Sequence, residues 1–379
     1  MLKNKAYKYR IYPTEEQKVF FAKTFGCVRF VYNIMLHDKI EHYKTNGTML
    51  KNTPAQYKHE HIFLKEVDSL ALANAQLNLE KAYKNFFREI KKGNKEQGFP
   101  KFKKKSYAES YTTNNQIGRI DEQKPKVSAR QGTVSIIKDK YLNLPKLKSL
   151  VKIKLHRHIP SEAVIKSVTI ERTSSGKFYA SILVIEDILP LEPIKTKVAI
   201  DLGIKSFATF STGEIIPNPK MLKQSEYKLI KLQRALSRKK KGSNNYYKNK
   251  RQLAVQHEKV ANQRKDFLHK LSKQLIDENQ IINIESLKVK KMLKNRLLSK
   301  SIADVSWALF TDMLAYKSDW YGRTLNKADT YYASSQICHV CGYKNNAVKD
   351  LAIRNWICPK CHVAHDRDYN ATQNLLKIG

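Results

Sequence analysis

Hydrophobic and polar residues alternate from residue 3 to 12. Tyr7, Tyr9 and Ile11 stand against Lys8 and Arg10, so a strand is predicted there, stopped by Pro13. Thr14-Glu-Glu-Gln17 has the residue types of a capping box. Helical periodicity then runs through Phe20, Phe21 and Phe25, and again from Val28 to His42. Residues 46–63 lack a period and read as loop. A second long helix is predicted from about Leu64 to Ile90, with Leu70, Leu72, Leu77, Leu79, Tyr83, Phe86 and Phe87 as its apolar positions. Gly98-Phe-Pro-Lys-Phe-Lys-Lys-Lys105 follows as a basic linker. Beyond it, short strands are expected near 115–120, 131–137, 151–155, 165–172 and 177–185, with Ser174-Ser-Gly176-Lys177 as a hairpin turn. With the strand at 3–12 these make a small β-barrel or sandwich.

The second half has a different rhythm. Strands are expected at 197–201, 205–210 and 214–216, helices at 220–241 and 249–278, then a strand at 280–284. A helix at 304–325, a strand at 327–333, a cysteine-bearing segment and a last helix at 369–377 complete it. Three strands, helix, strand, helix, strand, helix is the order of an RNase H-like fold. Gly203 and Gly213 suit the turns between its first strands. The run Ser237-Arg-Lys-Lys-Lys241-Gly-Ser interrupts the helical pair and reads as exposed.

Charge changes this picture from a generic mixed fold to a nucleic-acid-binding one. The 379 residues include 71 Lys and Arg against 34 Asp and Glu, a net charge of +37 spread over nearly all segments. Such a chain repels itself and calls for a polyanion. A membrane surface is not expected, because no apolar run of about 18 residues and no basic amphipathic helix with a clean apolar face is evident. The first residues lack the apolar stretch of a signal peptide, so an intracellular protein is expected. The length suggests two to three domains at about 150 residues each. With 41% hydrophobic residues the chain can bury real cores.

Four of the five cysteines form Cys338-x2-Cys341 and Cys358-x2-Cys361, the spacing of a zinc ribbon with one closed, structural ion. Gly342 suits the turn after the first pair. His339, His362 and His365 are taken as surface or nucleic-acid-contacting residues rather than ligands, and Cys27 as a small core residue. Three carboxylates complete the chemistry. Asp201 and Glu285 each follow a short apolar strand, and Asp368 opens the last helix. Singly they read as a turn aspartate, a helix-start glutamate and an N-cap. Together they fall where this strand order gathers a cluster for two Mg²⁺ ions, about 4 Å apart, that clamp the attacking and leaving oxygens of a phosphodiester. Asp366 competes with Asp368 for its role; Asp277 and Glu278 are weaker rivals of Glu285.

The segments Asp201-Leu-Gly-Ile, Asn283-Ile-Glu285 and His365-Asp-Arg-Asp368-x-Asn370-Ala, with the four-cysteine segment before the last, resemble the OrfB/TnpB proteins of bacterial insertion sequences. Tyr9-Arg-Ile-Tyr-Pro13, the Gly98-Phe-Pro-Lys-Phe-Lys block and Leu144-Pro-Lys-Leu-Lys with His156-Arg157 extend the resemblance over nearly the whole chain. It implies a multi-domain α+β protein. A helical recognition lobe (13–107) is inserted in a wedge β-barrel (1–12 plus 108–193), followed by a RuvC-like nuclease domain (194–379) carrying the zinc ribbon (334–364). The implied activity is RNA-guided, metal-dependent DNA cleavage next to a short motif, with Asp201, Glu285 and Asp368 as the catalytic acids. The implied partners are a guide RNA from the transposon end and duplex target DNA, with no membrane and a single protein copy per RNA complex. The implied location is the bacterial cytoplasm, at the nucleoid. Base pairing would read the target, leaving the protein to grip backbones and read the motif. Motif-reading candidates are Asn74, Gln76 and Asn78 on the second helix, with Thr112, Thr113 and Asn114; the alternative is a solvated helix face. A nuclease-inactive RNA-guided repressor and a transposase acting on transposon-end DNA are the competing activities; the intact acids argue against the first.

Overall fold

In the computed structural model, residues 1–93, 98–106, 108–116 and 132–378 are described. They divide into two compact units, Met1–Asp187 and Ile188–Gly379.

The first unit begins with β1 (Leu2–Tyr12), whose Tyr7, Tyr9 and Ile11 are buried as the alternation requires. Thr14 and Gln17 then cap each other reciprocally and start α1 (Glu15–Asn46), one unbroken helix that ends at Gly47 in the left-handed conformation. By length and composition alone α1 is apolar enough to cross a membrane, which corrects the expectation that no such run exists. Its apolar side chains are spent inside the unit: Phe21, Val31, Met35 and Leu36 are fully buried. The segment expected as loop carries two short 3₁₀ turns, Gln56–Lys58 and Ile62–Lys65. Helix α2 (Ser69–Lys91) starts later than its periodicity suggests, because the Asp68 carboxylate accepts from the Leu70 N–H and fixes the cap there. Leu72, Leu79 and Tyr83 face the core, while Leu77 and Phe87 are exposed.

The remaining strands are β2 (Glu109–Asn114), β3 (Ser135–Ile137), β4 (Tyr141–Asn143), β5 (Val151–Lys154), β6 (Val164–Arg172) and β7 (Phe178–Asp187). They join β1 in an antiparallel sheet of order β2-β6-β7-β1-β5-β4-β3. Its two edges approach at one end. The Thr133 N–H donates to the Gln116 carbonyl (3.1 Å) and the Val134 N–H to Asn115 Oδ1 (2.9 Å). The sheet is thus a half-barrel. The strand expected at 115–120 is not found at 115–116, and its remainder lies outside the described residues; the strand that forms, β2, ends just before it. Helices and sheet share one hydrophobic core, with the Phe21 ring against Tyr111 and Phe178.

In the second unit, β8 (Lys197–Leu202), β9 (Ser206–Phe210) and β10 (Ile215–Pro217) form an antiparallel meander. The helices α3 (Met221–Ser237) and α4 (Asn244–Glu278) follow, then β11 (Ile281–Ile284). The short α5 (Val289–Met292) and α6 (Ser299–Val305) lead to α7 (Trp307–Tyr321) and β12 (Thr324–Lys327). The sheet order is β10-β9-β8-β11-β12, with β8, β11 and β12 parallel. The single helix expected at 304–325 is divided by Ser306, which sits at φ 55° between α6 and α7. The last strand lies at 324–327 rather than 327–333. Past it, the Asp329 side chain accepts the Tyr331 N–H (2.8 Å) in a turn that ends the strand. A two-stranded hairpin of β13 (Asn355–Ile357) and β14 (Ala364–Asp366) then leads into α8 (Arg367–Leu376).

Candidate active site and metal centre

Strand β8 is apolar because it is covered: Val198, Ala199 and Ile200 are buried, and the chain emerges at Asp201. Strand β11 lies beside it in parallel, with Ile284 opposite Ile200. The next residue on each strand is an acid, so Asp201 and Glu285 leave adjacent strand ends together. The Leu202 N–H donates to Glu285 Oε1 at 3.0 Å and fixes that side chain. The turn beyond Asp201 needs glycine, because a Cβ on Gly203 would stand 2.8 Å from the Ser206 carbonyl oxygen.

Asp368 comes from the first turn of α8, which packs on β8. The choice between Asp366 and Asp368 is visible in the capping. Asp366 is the N-cap, its Oδ1 accepting the Tyr369 N–H at 2.8 Å, and it is spent on the helix. Asp368 stands near the other two acids and 3.4 Å from the Arg354 guanidinium. Asp277 and Glu278 lie before β11, at the opposite end of the strand from Glu285.

The three charges feel one another. Burial, then Glu285, then Asp368 push the Asp201 carboxyl well above the usual carboxylate range. Burial raises Glu285 to about 7, against the lowering effect of the Leu202 N–H. Carboxylates left this unhappy by desolvation and like charge favour a proton or a cation between them.

The thiols form a tighter set. The Sγ atoms of Cys338, Cys341, Cys358 and Cys361 lie within 4.8 Å of one another, the one such group of three or more possible ligand atoms among the described residues. The carboxylate trio is more open. Cys338–Cys361 and Cys341–Cys358 are each 3.6 Å apart, far beyond a disulfide bond. Four thiolates about 2.3 Å from a tetrahedral zinc ion would be about 3.8 Å apart, so this donor set fits that ion. Each knuckle is closed by a left-handed residue after its second cysteine, Gly342 at φ 74° and His362 at φ 59°. The expectation for His365 is corrected. It is buried, and its Nε2 lies 3.1 Å from Cys338 Sγ, placing it against a thiol rather than at the surface.

Asparagines tie this centre to the acids. Asn370, fully buried on α8, accepts from the His339 N–H (3.0 Å) and donates to the Ile337 carbonyl (2.8 Å). Asn374 donates to the carbonyls of Ser334 (2.8 Å) and Ile337 (2.5 Å). At the far end of α8, Asn283 of β11 donates to the carbonyls of Leu375 (2.8 Å) and Ile378 (2.6 Å). An asparagine inside the apolar run Ile281-Ile-Asn-Ile284 was a readable signal of such a cap; Arg354 and Asn374 gave none.

The motif-reading candidates separate. Asn74 meets Asn114 at 3.4 Å while also donating to the Leu70 carbonyl (2.8 Å). Gln76 pairs with Glu80 along the helix (2.8 Å), and Asn78 is exposed. Thr112 hydrogen-bonds to Thr169 across the sheet (2.8 Å). Thr113 is fully buried against the Asp68 carboxylate, so it has no path to a base edge and is removed from the set.

Sheet, carboxylates and thiols together define a mixed α/β protein with a four-cysteine metal-type centre. A family signature described as "Probable transposase" (OrfB_IS605) matches residues 181–296. One described as "Helix-turn-helix domain" (HTH_OrfB_IS605) matches 1–48, which here is a strand followed by a single helix, and "Cas12f1-like, TNB domain" matches 307–375. A Streptomyces pristinaespiralis protein named "Putative RNA-guided DNA endonuclease" is 37% identical over 99% of this chain and 89% of its own. The Escherichia coli (strain K12) protein "Putative RNA-guided DNA endonuclease InsQ" is 29% identical over 100% of this chain and 93% of its own. Among solved structures, the protein in "Cryo-EM structure of the Cas12f1-sgRNA-target DNA complex" shares the fold at a TM-score of 0.55 and 14% identity, covering 99% of this chain and 98% of that one. The chain belongs to the OrfB/TnpB family of insertion-sequence proteins.

Proposed function

We propose that this protein is a transposon-encoded, RNA-guided DNA endonuclease that cuts target DNA next to a short motif. The observation that carries the reading is the convergence of Asp201 and Glu285, at adjacent strand ends, with Asp368, from the first turn of α8, in a chain of net charge +37. The unit from Ile188 onward is read as a RuvC-type nuclease domain with an RNase H-like sheet, 334–364 as its zinc ribbon, 13–107 as the recognition lobe, and the half-barrel as the wedge. Zinc belongs to the four cysteines. Asp201, Glu285 and Asp368 are the residues that would hold Mg²⁺, and two such ions would supply an activated water and neutralise the leaving oxygen.

The chain's own contribution is positional. The parallel pairing of β8 and β11 sets the distance between Asp201 and Glu285, and the Leu202 N–H orients the latter. Helix α8, held at both ends by asparagines, presents Asp368. Arg354 sits where it can offset surplus charge as an anionic phosphodiester arrives. Distributed Lys and Arg bind guide RNA and target backbones, a sequence-blind grip with steep salt dependence. One protein copy per guide RNA is the proposed stoichiometry, and the bacterial nucleoid the proposed place of action.

The test is to purify the protein with its flanking locus, sequence the RNA that survives a high-salt wash, and supply Mg²⁺ and a plasmid carrying the matching target. One enriched transcript and cleavage confined to matched plasmids are expected. Random RNA fragments and transposon-end binding without RNA would replace this reading with that of a transposase.

A further inference from the structure

Tyr331 lies in the loop after β12, and 82% of it is exposed. Its neighbour Tyr332 is half-buried, with its hydroxyl 3.4 Å from the Asn374 carbonyl oxygen, and has a structural place. Tyr331 buries almost nothing, yet it is held. The Lys288 ammonium lies 4.2 Å from the centre of its ring and donates to its hydroxyl at 3.0 Å. The Asp329 turn fixes its backbone. The cation thus sits at the hydroxyl end of the ring, and the residue's large exposure leaves ring surface open to solvent. Tyr331 and Lys288 line the same cavity as Glu285. On its other flank Glu285 lines a second cavity with Lys290, Lys291 and Lys327, so the approach to this acid is set for a polyanion.

We infer that Tyr331 is a substrate-positioning residue: its open face stacks on a nucleotide base of the single strand next to the scissile phosphate, while Lys288 takes a neighbouring phosphate. An aromatic face accepts any base, which suits an enzyme whose sequence choice is made elsewhere, and an ammonium beside it suits the phosphate that accompanies every base. The inference rests on the endonuclease reading of the Glu285 site.

The test uses the ribonucleoprotein purified with its locus and a matched target bearing one abasic site, stepped through the nucleotides around the cut. Wild type should lose about tenfold in cleavage rate at one abasic position, the size expected for one stacked base. Tyr331→Ala should lose about as much on intact DNA and nothing further at that position. Tyr331→Phe, which keeps the ring but loses the Lys288 hydrogen bond, should lose less than Tyr331→Ala on intact DNA and keep the further loss at that one abasic position. Equal rates for Tyr331→Ala and wild type on intact DNA, or the same abasic profile in both, would overturn the role of Tyr331 and leave the endonuclease intact. A wild-type complex that cuts no target in Mg²⁺ removes the endonuclease reading, and this inference with it. Unchanged RNA content and far-ultraviolet dichroism of Tyr331→Ala separate a lost stacking partner from a misfolded chain.

Discussion

Each of the two units holds carboxylates within its sheet, and they are treated in opposite ways. In the first, Glu186 is buried but receives hydrogen bonds from Lys5 (2.6 Å) and Tyr7 (2.7 Å). Glu109 lies between two guanidiniums, Arg29 and Arg172, each at 2.6 Å. In the second, Asp201 is raised well above the carboxylate range and Glu285 to about 7, with burial the leading cause. Arg367 and then Arg354, the latter 3.4 Å from Asp368, act against this rise without reversing it. In a chain with 71 Lys and Arg, the lack of an ion pair to Asp201 or Glu285 among the described residues is not a shortage of cations. Paired acids hold a fold together; under-paired, half-buried acids are tolerated where something else must bind.

The sharpest way to break this comparison is to remove one acid from each side. Asp201→Ala should cut target DNA at below about one-thousandth of the wild-type rate, because the acids act as a unit. It should bind guide RNA and target as wild type does, since a sequence-blind grip is shared among many of the 71 Lys and Arg. Near-normal cleavage by this variant would end the assignment of the acid cluster. Asp366→Ala should weaken the α8 cap yet retain measurable cleavage, which separates the two aspartates.

Cys338→Ser should take the purified protein from one zinc ion per chain to less than one by elemental analysis, and loosen the ribbon. Because Asn370 and Asn374 join that loop to α8, amide exchange should quicken in α8 as well as in the knuckles. Exchange confined to the knuckles would mean that the ribbon does not support Asp368.

Next in size, Glu109→Gln should destabilise the first unit by about 2 kcal/mol, since it leaves two part-buried guanidiniums without their carboxylate. Asp201→Asn should do the reverse and raise the melting temperature in buffer lacking Mg²⁺, because a half-buried and repelled charge is gone. The two shifts having the same sign would show that the acids of the two units are not treated differently.

The smallest effect is a pH dependence. Glu285 titrates near 7 in the folded chain and near the ordinary carboxylate value when unfolded, so the folded state holds the extra proton between them. Stability from this group is full below the unfolded value and is lost as pH rises towards 7. Thermal melts without added divalent ions should show a decline over that window, absent in Glu285→Gln and reduced by Mg²⁺. A flat profile in wild type would remove Glu285 from the coupled cluster.

The parts of this molecule legible in the sequence are those fixed by local pattern. The capping box at Thr14, the strand ends at Asp201 and Glu285, and the two cysteine knuckles all follow from residues a few positions apart. Long-range partners were hidden. The choice of Asp366 as cap over Asp368 depended on which carboxylate the Tyr369 N–H would reach. Thr113 looked like a polar reader because its partner, Asp68, is distant along the chain. His365 looked like a surface histidine because its thiol partner belongs to the other knuckle. The loop carrying Tyr331 was read as strand, since β-branched and aromatic residues there satisfy strand preference, and only the Asp329 turn overrides it.

The order in which the acids occur along the chain has a consequence for synthesis. Asp201 and Glu285 lie at the ends of paired strands, whereas Asp368 belongs to α8, which follows both cysteine pairs in the chain and hydrogen-bonds to the loop before the first pair through Asn370 and Asn374. Some eighty residues separate the second acid from the third, about 4–17 s of translation at bacterial-to-slow elongation rates. During that interval a ribosome-bound chain already has basic surface able to hold nucleic acid, but its carboxylate cluster is incomplete. If the three acids act as proposed, a chain caught in that interval would be able to grip nucleic acid but not to cut it.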